Sequence, residues 1–304
     1  MFDIPENFAR QTVEYYGASG TLWLERLPEI LAACERRWQL RLNAPFTNLT
    51  FHYVASATRN DGAQVVVKVH APTREFEQET TALRLFAGRG CVRLLDYDAT
   101  DAVQLLERLQ PGRSLRTLNN DEEAISIATS VMRQLWRPAL PTHPFPTVLD
   151  WGAGLTRLRQ RYNGGNGPFP ARLLSEAEAL FADLSASMAE PIMLHGDLHQ
   201  GNILSAGPQQ WVAIDPKGLI GEPAYETGVL LHNFLPELLE APDPRRILAR
   251  RIDQMAEELG FERARIRGWG LYQAVLAAWW GMEDTDQLWG DALTCAELLS
   301  TIKL

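Results

Sequence analysis

Apolar side chains recur along this chain in two rhythms, and the change from one to the other divides it. Over the first 42 residues, Leu22, Leu24, Leu27, Ile30 and Leu31 repeat at roughly helical spacing across Pro28. After Asn43-Ala44-Pro45 the period shortens. Leu49 to Ala57 alternates as a half-buried strand does, Asn60-Asp61-Gly62 supplies a hairpin turn, and Gln64 to His70 reads as a second strand. Thr73 to Ala87 returns to a helical period and stops at Gly88 and Gly90. Short strands are expected near Val92 to Tyr97 and Val103 to Glu107, and Pro111-Gly112 then breaks the chain.

Beyond that break the helical rhythm dominates. Asn120 followed by Glu123 is a capping-box pattern ahead of Ile125, Ala128, Val131, Met132 and Leu135. Ser175 and Glu178 repeat the pattern before Phe181, Leu184 and Met188, and the Gly- and Asn-rich stretch from Tyr162 to Pro170 reads as a loop. From Ala224 onward the period is helical, broken at Pro242-Asp243-Pro244 and at Gly260. Strands first and helices afterwards predict an α+β chain in two lobes rather than an alternating parallel sheet. The expected lobes are residues 1–110, with helices over about 5–42, and residues 111–304. No internal repeat and no low-complexity tract interrupts them.

Composition narrows the choice of partners. The 304 residues are 46% hydrophobic and 22% charged, with a net charge of −9. That acidity argues against nucleic acid or an anionic membrane as partner, since both need a basic surface. It suits a cationic small ligand, although acidic surfaces also serve solubility alone. Cys34, Cys91 and Cys295 lie far apart with no CxxC pair, so neither a disulfide framework nor a zinc ribbon is indicated. The opening MFDIPENFARQ lacks the layout of a secretory signal, and the apolar stretch Leu271 to Met282 is too short for a bilayer. A cytoplasmic location is expected.

The densest polar cluster runs from His195 through Gly196, Asp197, Leu198, His199, Gln200 and Gly201 to Asn202, between Ile192-Met193-Leu194 and Ile203-Leu204. A second apolar run, Trp211 to Ile214, leads into Asp215-Pro216-Lys217-Gly218. Short buried strands would deliver two carboxylates and an amide to one loop-rich surface. Phosphoryl transfer needs this set: a carboxylate to accept the proton of the attacking hydroxyl, and hard oxygen ligands for Mg²⁺. Asp197 and Asn202 have the Asp-x-x-x-x-Asn spacing of a kinase catalytic loop, base first and metal ligand second, and Asp215 stands where a DFG-type aspartate would. A rival chemistry fits part of the cluster. His195, Asp197 and His199 alternate and would share one face of a strand, as zinc ligands can, but a Gly- and Gln-containing loop is the better description of that stretch.

Upstream, Lys68 sits inside the valine run Val65 to Val69, ahead of a helix bearing Glu75, Glu77 and Glu79. A lone strand lysine often only snorkels to water. In a kinase such a lysine meets the nucleotide phosphates and is steadied by a helix glutamate. Glu79 is the favoured partner because Leu83 and Phe86 share its face; Glu75 is the alternative, and Glu77 fits a solvated face. The loop from Phe46 to His52 holds no glycine, so any phosphate contacts would come from backbone and hydroxyl donors around Thr47 and Asn48. Leu105 to Leu109 is the expected strand-to-hinge segment, which puts Glu107 and Leu109 beside the base.

Together these stretches resemble the aminoglycoside phosphotransferase family, and within it the streptomycin 6-kinase and hydroxyurea-resistance branch. Pro45 to Val54, His195 to Leu204 and Ile214 to Tyr225 carry the resemblance, which runs in order over residues 40–290. It implies a protein-kinase-like fold and transfer of phosphate from ATP, with GTP an open alternative, to a hydroxyl of a small molecule. It also implies Asp197 as base and Asn202 and Asp215 on magnesium. Trp279 to Asp284 matches a late W-x-x-E-D helix of the branch, in which Glu283 and Asp284 would meet a cationic acceptor; by their own chemistry Trp279-Trp280 would add an apolar or cation–π wall. Taken alone, Glu283, Asp284 and Asp286 fit a solvated helix end. The chain departs from the family at Glu226, where an Asp that braces the catalytic loop is usual. A kinase for another hydroxylated or amine-bearing metabolite, and a nucleotide-binding module without turnover, are the competing functions.

Overall fold

Helix α1 (Glu6–Trp38) carries the first helical rhythm, but it ends four residues before position 42, at Gln39 in the left-handed region (φ 48°). Its buried stripe is Trp23, Leu27, Ile30, Leu31, Cys34 and Trp38 at i+3 and i+4 spacing. Leu22, counted on that stripe from sequence, is 62% exposed. Gly17 (φ 58°, ψ −132°) breaks α1 into two segments, a backbone position that glycine takes without steric cost. This is a computed structural model, and it describes residues 2–71, 73 and 75–303.

The strands β1 (Leu40–Pro45), β2 (Tyr53–Arg59), β3 (Gln64–Val69), β4 (Leu94–Asp98) and β5 (Val103–Glu107) form one antiparallel sheet in the order β1-β2-β3-β5-β4. Residues 47–52 form turns and bends, so the strand expected from Leu49 starts at Tyr53. At the β2–β3 hairpin Gly62 has φ 86° and Asp61 accepts the Ala63 N–H at 3.0 Å. Strand alternation sends Tyr53, Ala55, Ala57, Val65, Val67 and Val69 into a core shared with α1. Each large apolar side chain so buried contributes roughly 1.5–3 kcal/mol, which fixes the strand that presents Lys68 on its other face. Helix α2 (Glu75–Phe86) covers that face. The helix was expected from Thr73, and Arg74 in that span lies outside the described residues.

The chain divides into two compact units, one running to Arg113 with 205–217 added, the other made of 114–204 and 218–304. A continuous second half from residue 111 did not foresee that return. The second unit begins with α3 (Asp121–Leu135), capped by Asn120, whose side chain accepts the Glu122 and Glu123 N–H groups. After β6 (Arg137–Pro138) comes α4 (Val148–Arg161), opened by a reciprocal capping box of Thr147 and Asp150. Helix α5 (Ala171–Ala186) starts behind Pro170. Ser175 therefore lies inside it, not at its cap, and Glu178 is held by Arg159 through two bonds of 2.7 Å.

Next come β7 (Ile192–Leu194), the hairpin β8 (Ile203–Gly207) and β9 (Gln210–Ala213), and β10 (Leu219–Gly221). Strands β10, β7 and β6 make a small antiparallel sheet. β9 is tied into the first unit, where the Val92 N–H reaches the Ala213 carbonyl and the Ala213 N–H reaches the Gly90 carbonyl, both at 2.8 Å. The remaining helices are α6 (Pro223–Glu226), α7 (Val229–His232), α8 (Leu235–Leu239), α9 (Pro244–Leu259), α10 (Arg263–Thr285) and α11 (Gly290–Thr301). α10 is buried along most of its length, which accounts for the apolar stretch Leu271 to Met282. Among the described residues no helix is long and apolar enough to cross a membrane.

Candidate active site

In the first unit, Lys68 and Glu79 meet as two buried side chains, 3% and 6% exposed. The Lys68 ammonium donates to both Glu79 oxygens at 2.8 and 2.7 Å and to Asp215 Oδ1 at 3.0 Å. Strand alternation supplies the lysine, one turn of α2 supplies the glutamate, and the segment after β9 supplies Asp215. Burial works against the ammonium, but Asp215 and Glu79 outweigh it and hold Lys68 protonated, its pKa above the usual value. The two carboxylates leave a surplus negative charge. Burial pushes Glu79 up to about 7, with Lys68 opposing and Asp215 adding to the rise. Asp215 takes φ 58°, a conformation unusual outside glycine, and its side chain is 46% exposed. A half-exposed carboxylate anchored by one oxygen to a lysine suits a hard divalent cation such as Mg²⁺.

Glu75, the alternative partner for Lys68, is engaged elsewhere. Lys217 donates to it at 3.1 Å and His52 Nε2 stands 3.5 Å away, so the pairing of Lys68 is with Glu79. Glu77 is exposed. His52 was not anticipated: its Nδ1 accepts the Ala71 N–H at 3.2 Å, which ties the glycine-free loop to the entry of α2. Nothing in the spacing of the sequence marks that contact. Thr47 and Asn48 lie in an exposed turn. Phe46 beside them is covered by the Arg108 guanidinium, 4.6 Å from the ring centre. The Glu107 carboxylate is occupied by the Arg93 main-chain N–H and Nε, both at 2.8 Å, while Leu109 is buried. Any role of Glu107 toward a base therefore falls to its backbone.

In the second unit the loop after β7 is held by its main chain. The Glu226 carboxylate accepts the His195 N–H at 2.8 Å and the Gly196 N–H at 2.9 Å. Thus the residue that departs from the family pattern still reaches the loop, immediately ahead of Asp197. Burial raises Glu226 to about 7, and the two N–H groups oppose that rise. His195 Nδ1 accepts the Asp197 N–H at 3.2 Å, and Asn202 Nδ2 donates to the Asp197 carbonyl at 3.0 Å. The amide nitrogen is thereby turned toward the loop, and Oδ1 is left as the ligand-type atom. His199 Nδ1 accepts the Gly201 N–H at 3.0 Å. Both histidines serve the turn, against the zinc arrangement. Among the described residues the one group with metal-ligand proximity is His52, His70 and Glu79, whose ligand atoms lie within 4.8 Å of one another.

The late acidic residues are found on the surface. Glu283 forms a bidentate pair with Arg157, at 2.6 and 2.8 Å, and Asp286 pairs with Arg161 at 2.6 Å. Burial, then Glu283, raises the Asp284 carboxyl. Trp279 is buried in the core and is no wall for a ligand; Trp280 is half-buried and meets Trp151 edge-on at 5.4 Å.

Comparison with known proteins agrees with this chemistry. Residues 37–285 match the family model described as aminoglycoside/hydroxyurea antibiotic resistance kinase. Streptomycin 6-kinase of Streptomyces glaucescens is 31% identical over 284 residues, covering 93% of this chain and 92% of the relative. Hydroxyurea phosphotransferase of Kitasatospora aureofaciens is 31% identical over 293 residues, covering 93% of this chain and 82% of the relative. A solved structure of a choline/ethanolamine kinase family protein from Mesorhizobium loti superposes with a TM-score of 0.66 at 17% identity, covering 92% of this chain and 95% of that one. That likeness is one of fold, the protein-kinase-like fold.

Proposed function

Because this chain belongs to the aminoglycoside/hydroxyurea antibiotic resistance kinase family, and so is a small-molecule kinase with a nucleotide donor, we propose that it transfers the γ-phosphate of ATP to a hydroxyl of a streptomycin-like aminoglycoside. The observation that carries this reading is the buried Lys68–Glu79 pair joined to half-exposed Asp215, with contacts of 2.7–3.0 Å. A lysine fixed by one carboxylate and shared with a second is prepared to exchange that second partner for a phosphate oxygen.

In this mechanism Lys68 meets the nucleotide phosphates and Glu79 sets its position. The turn at Thr47 and Asn48 covers the phosphates with backbone donors, and the backbone of Glu107 and Leu109 meets the base. Asp215 and Asn202 Oδ1 would hold magnesium, which supplies charge neutralisation on the phosphates when bound. Asp197 accepts the proton of the acceptor hydroxyl as the oxygen attacks phosphorus, and ADP leaves. Glu226 keeps the main chain ahead of Asp197 from shifting. Glu283 and Asp284 would attract a cationic acceptor, consistent with the net charge of −9.

A second reading is hydroxyurea or another small hydroxylated or amine-bearing metabolite as acceptor, favoured by the equal identity of the hydroxyurea phosphotransferase. A nucleotide-consumption assay with streptomycin, other aminoglycosides, hydroxyurea, choline-like amines and sugars separates them. Consumption driven by streptomycin supports the first reading. Consumption driven only by hydroxyurea or a neutral acceptor replaces it.

A further inference from the structure

The second unit contains a cleft of ≈ 540 Å³ between the segment leading into α3, the loop bearing Asp197 and the start of α8. Arg116, Asp121, Gln200, Phe234 and Glu237 line it. The Arg116 guanidinium lies over the Phe234 ring, 4.2 Å from its centre, and forms an ion pair with Glu237. Both partners of that pair are largely exposed, with side chains 51% and 57% accessible. A pair so exposed contributes little to stability and exchanges partners readily.

Phe234 joins this pair to the catalytic loop. It takes φ 53° and ψ 44°, a left-handed conformation that a bulky side chain rarely adopts. Its ring meets His199 edge-on at 5.4 Å, two residues from Asp197. Gln200, 5% exposed, lines the same cleft, and its Oε1 is buried without a hydrogen-bond partner. A buried amide oxygen lacking a donor is costly and points to a ligand N–H. Asp121 adds no free charge, since Arg250 and Arg251 already hold it.

We propose that this cleft is an acceptor subsite for a planar guanidinium-type cation, and that Arg116 occupies it as a stand-in until the acceptor displaces it. The acceptor's guanidinium would take the Glu237 carboxylate and the Phe234 face, and donate one N–H to Gln200 Oε1. A guanidinium fits here and an ammonium does not, because a flat fork of donors can stack on the ring and pair with the carboxylate together. The inference rests on the aminoglycoside reading for its demand that the acceptor be cationic. It places the tighter recognition of charge beside Gln200 and leaves Glu283 and Asp284, already paired or at the surface, a weak attraction only.

The test titrates streptomycin, which bears guanidino groups, and kanamycin, which bears amines only, into the full-length protein held with a non-hydrolysable ATP analogue. Turnover of each drug is followed in parallel. Glu237→Gln should weaken streptomycin binding at least about tenfold, and Arg116→Ala should tighten it about threefold by removing the internal competitor. Kanamycin binding should change less than about twofold in both variants, and nucleotide affinity should not move. Arg116→Lys, which keeps the charge and loses the fork, should behave like Arg116→Ala. Streptomycin affinity within about twofold of the parent in both variants would overturn the subsite, as would equal weakening of the two drugs or no streptomycin binding at all. If streptomycin binds as described but is not phosphorylated, the subsite stands and the proposed activity fails. Phosphorylation with an unchanged KM in Glu237→Gln gives the reverse.

Discussion

Glu79 and Glu226 are buried carboxylates, one in each unit, and burial raises both to about 7. Their neighbours answer that cost differently. Glu79 is met by a charge, the Lys68 ammonium at 2.8 and 2.7 Å, and that ammonium is shared with Asp215 at 3.0 Å. Glu226 is met by dipoles, the main-chain N–H groups of His195 and Gly196 at 2.8 and 2.9 Å. Charges that can change partners suit a site that must receive phosphates. Fixed dipoles suit a loop whose task is to hold one side chain still. The first unit is built to bind charge, and the second is built to keep position.

Removing the charge on one side should have the larger effect. Lys68→Met removes the ammonium that Glu79 and Asp215 share, and breaking a buried pair from one side costs about 3–5 kcal/mol. The expected result is a large fall in thermal stability together with loss of nucleotide affinity. An unfolding midpoint and ATP affinity near those of the parent would show that the cluster is incidental.

Removing the dipole-bound partner should cost comparable stability but act elsewhere, sparing nucleotide binding. Glu226→Ala leaves two buried N–H groups without acceptors, about 1–3 kcal/mol each. Turnover should fall while the KM for ATP stays within about twofold, because only the loop carrying Asp197 is released. A rise in the KM for ATP with unchanged kcat would contradict that division. Chemical denaturation of Glu226→Asp adds a finer comparison: the side chain is shorter by one methylene, so its loss should fall between those of the parent and Glu226→Ala.

The pH dependence of stability follows from the same two groups. Each binds its proton more tightly folded than unfolded, so its contribution is fully present below about 4.5 and is lost as pH rises through about 7. Buried His232, depressed to about 4 by burial, His70, depressed to about 2 by burial and then Lys68, and His52, lowered by burial, work the other way, mainly below about 6.5 and fading out near about 7.5. Between pH 6.5 and 8 the last of that histidine effect offsets part of the carboxylates' decline. Stability should decline across that window by about 1 kcal/mol for each, as an upper bound, and Glu226→Gln should flatten part of the slope. A parent slope no steeper than that of Glu226→Gln would mean that Glu226 carries no proton at pH 6.5.

The smallest effect is expected where charge is already neutralised at the surface. Arg157 holds Glu283 through two bonds, so Glu283→Gln with Asp284→Asn should raise the KM for a cationic acceptor only about two- to threefold and spare ATP affinity. An unchanged KM makes these residues a solvated helix end.

Much of this division was legible in the residues. Valine alternation around Lys68 places the lysine, the positions of Leu83 and Phe86 select Glu79 over Glu75, and the short apolar runs place Asp197 and Asn202 after β7 and Asp215 after β9. These are short-range patterns, set by strand and helix periods. The contacts that escaped are long-range. Glu226 reaches His195 across 31 residues, at a position that only the family resemblance pointed to, and Arg116 reaches Glu237 across 121. Neither follows from a period. Local errors have local causes: Ser175 matches a capping box that Pro170 pre-empts by starting the helix earlier. Trp279 sits in a motif, but the burial of α10 assigns it to the core.

Asp197 is the residue on which the proposed chemistry depends most directly. Incubating the protein with magnesium and ATP labelled at the γ-phosphate, with streptomycin as acceptor, measures transfer to a hydroxyl in a single step. The parent should yield labelled streptomycin phosphate, and Asp197→Ala should lose at least about a hundredfold in rate with its unfolding midpoint and nucleotide affinity unchanged. Near-parental transfer by a folded Asp197→Ala protein, or no transfer by the parent to any hydroxyl-bearing acceptor while ATP binds normally, would contradict the assignment.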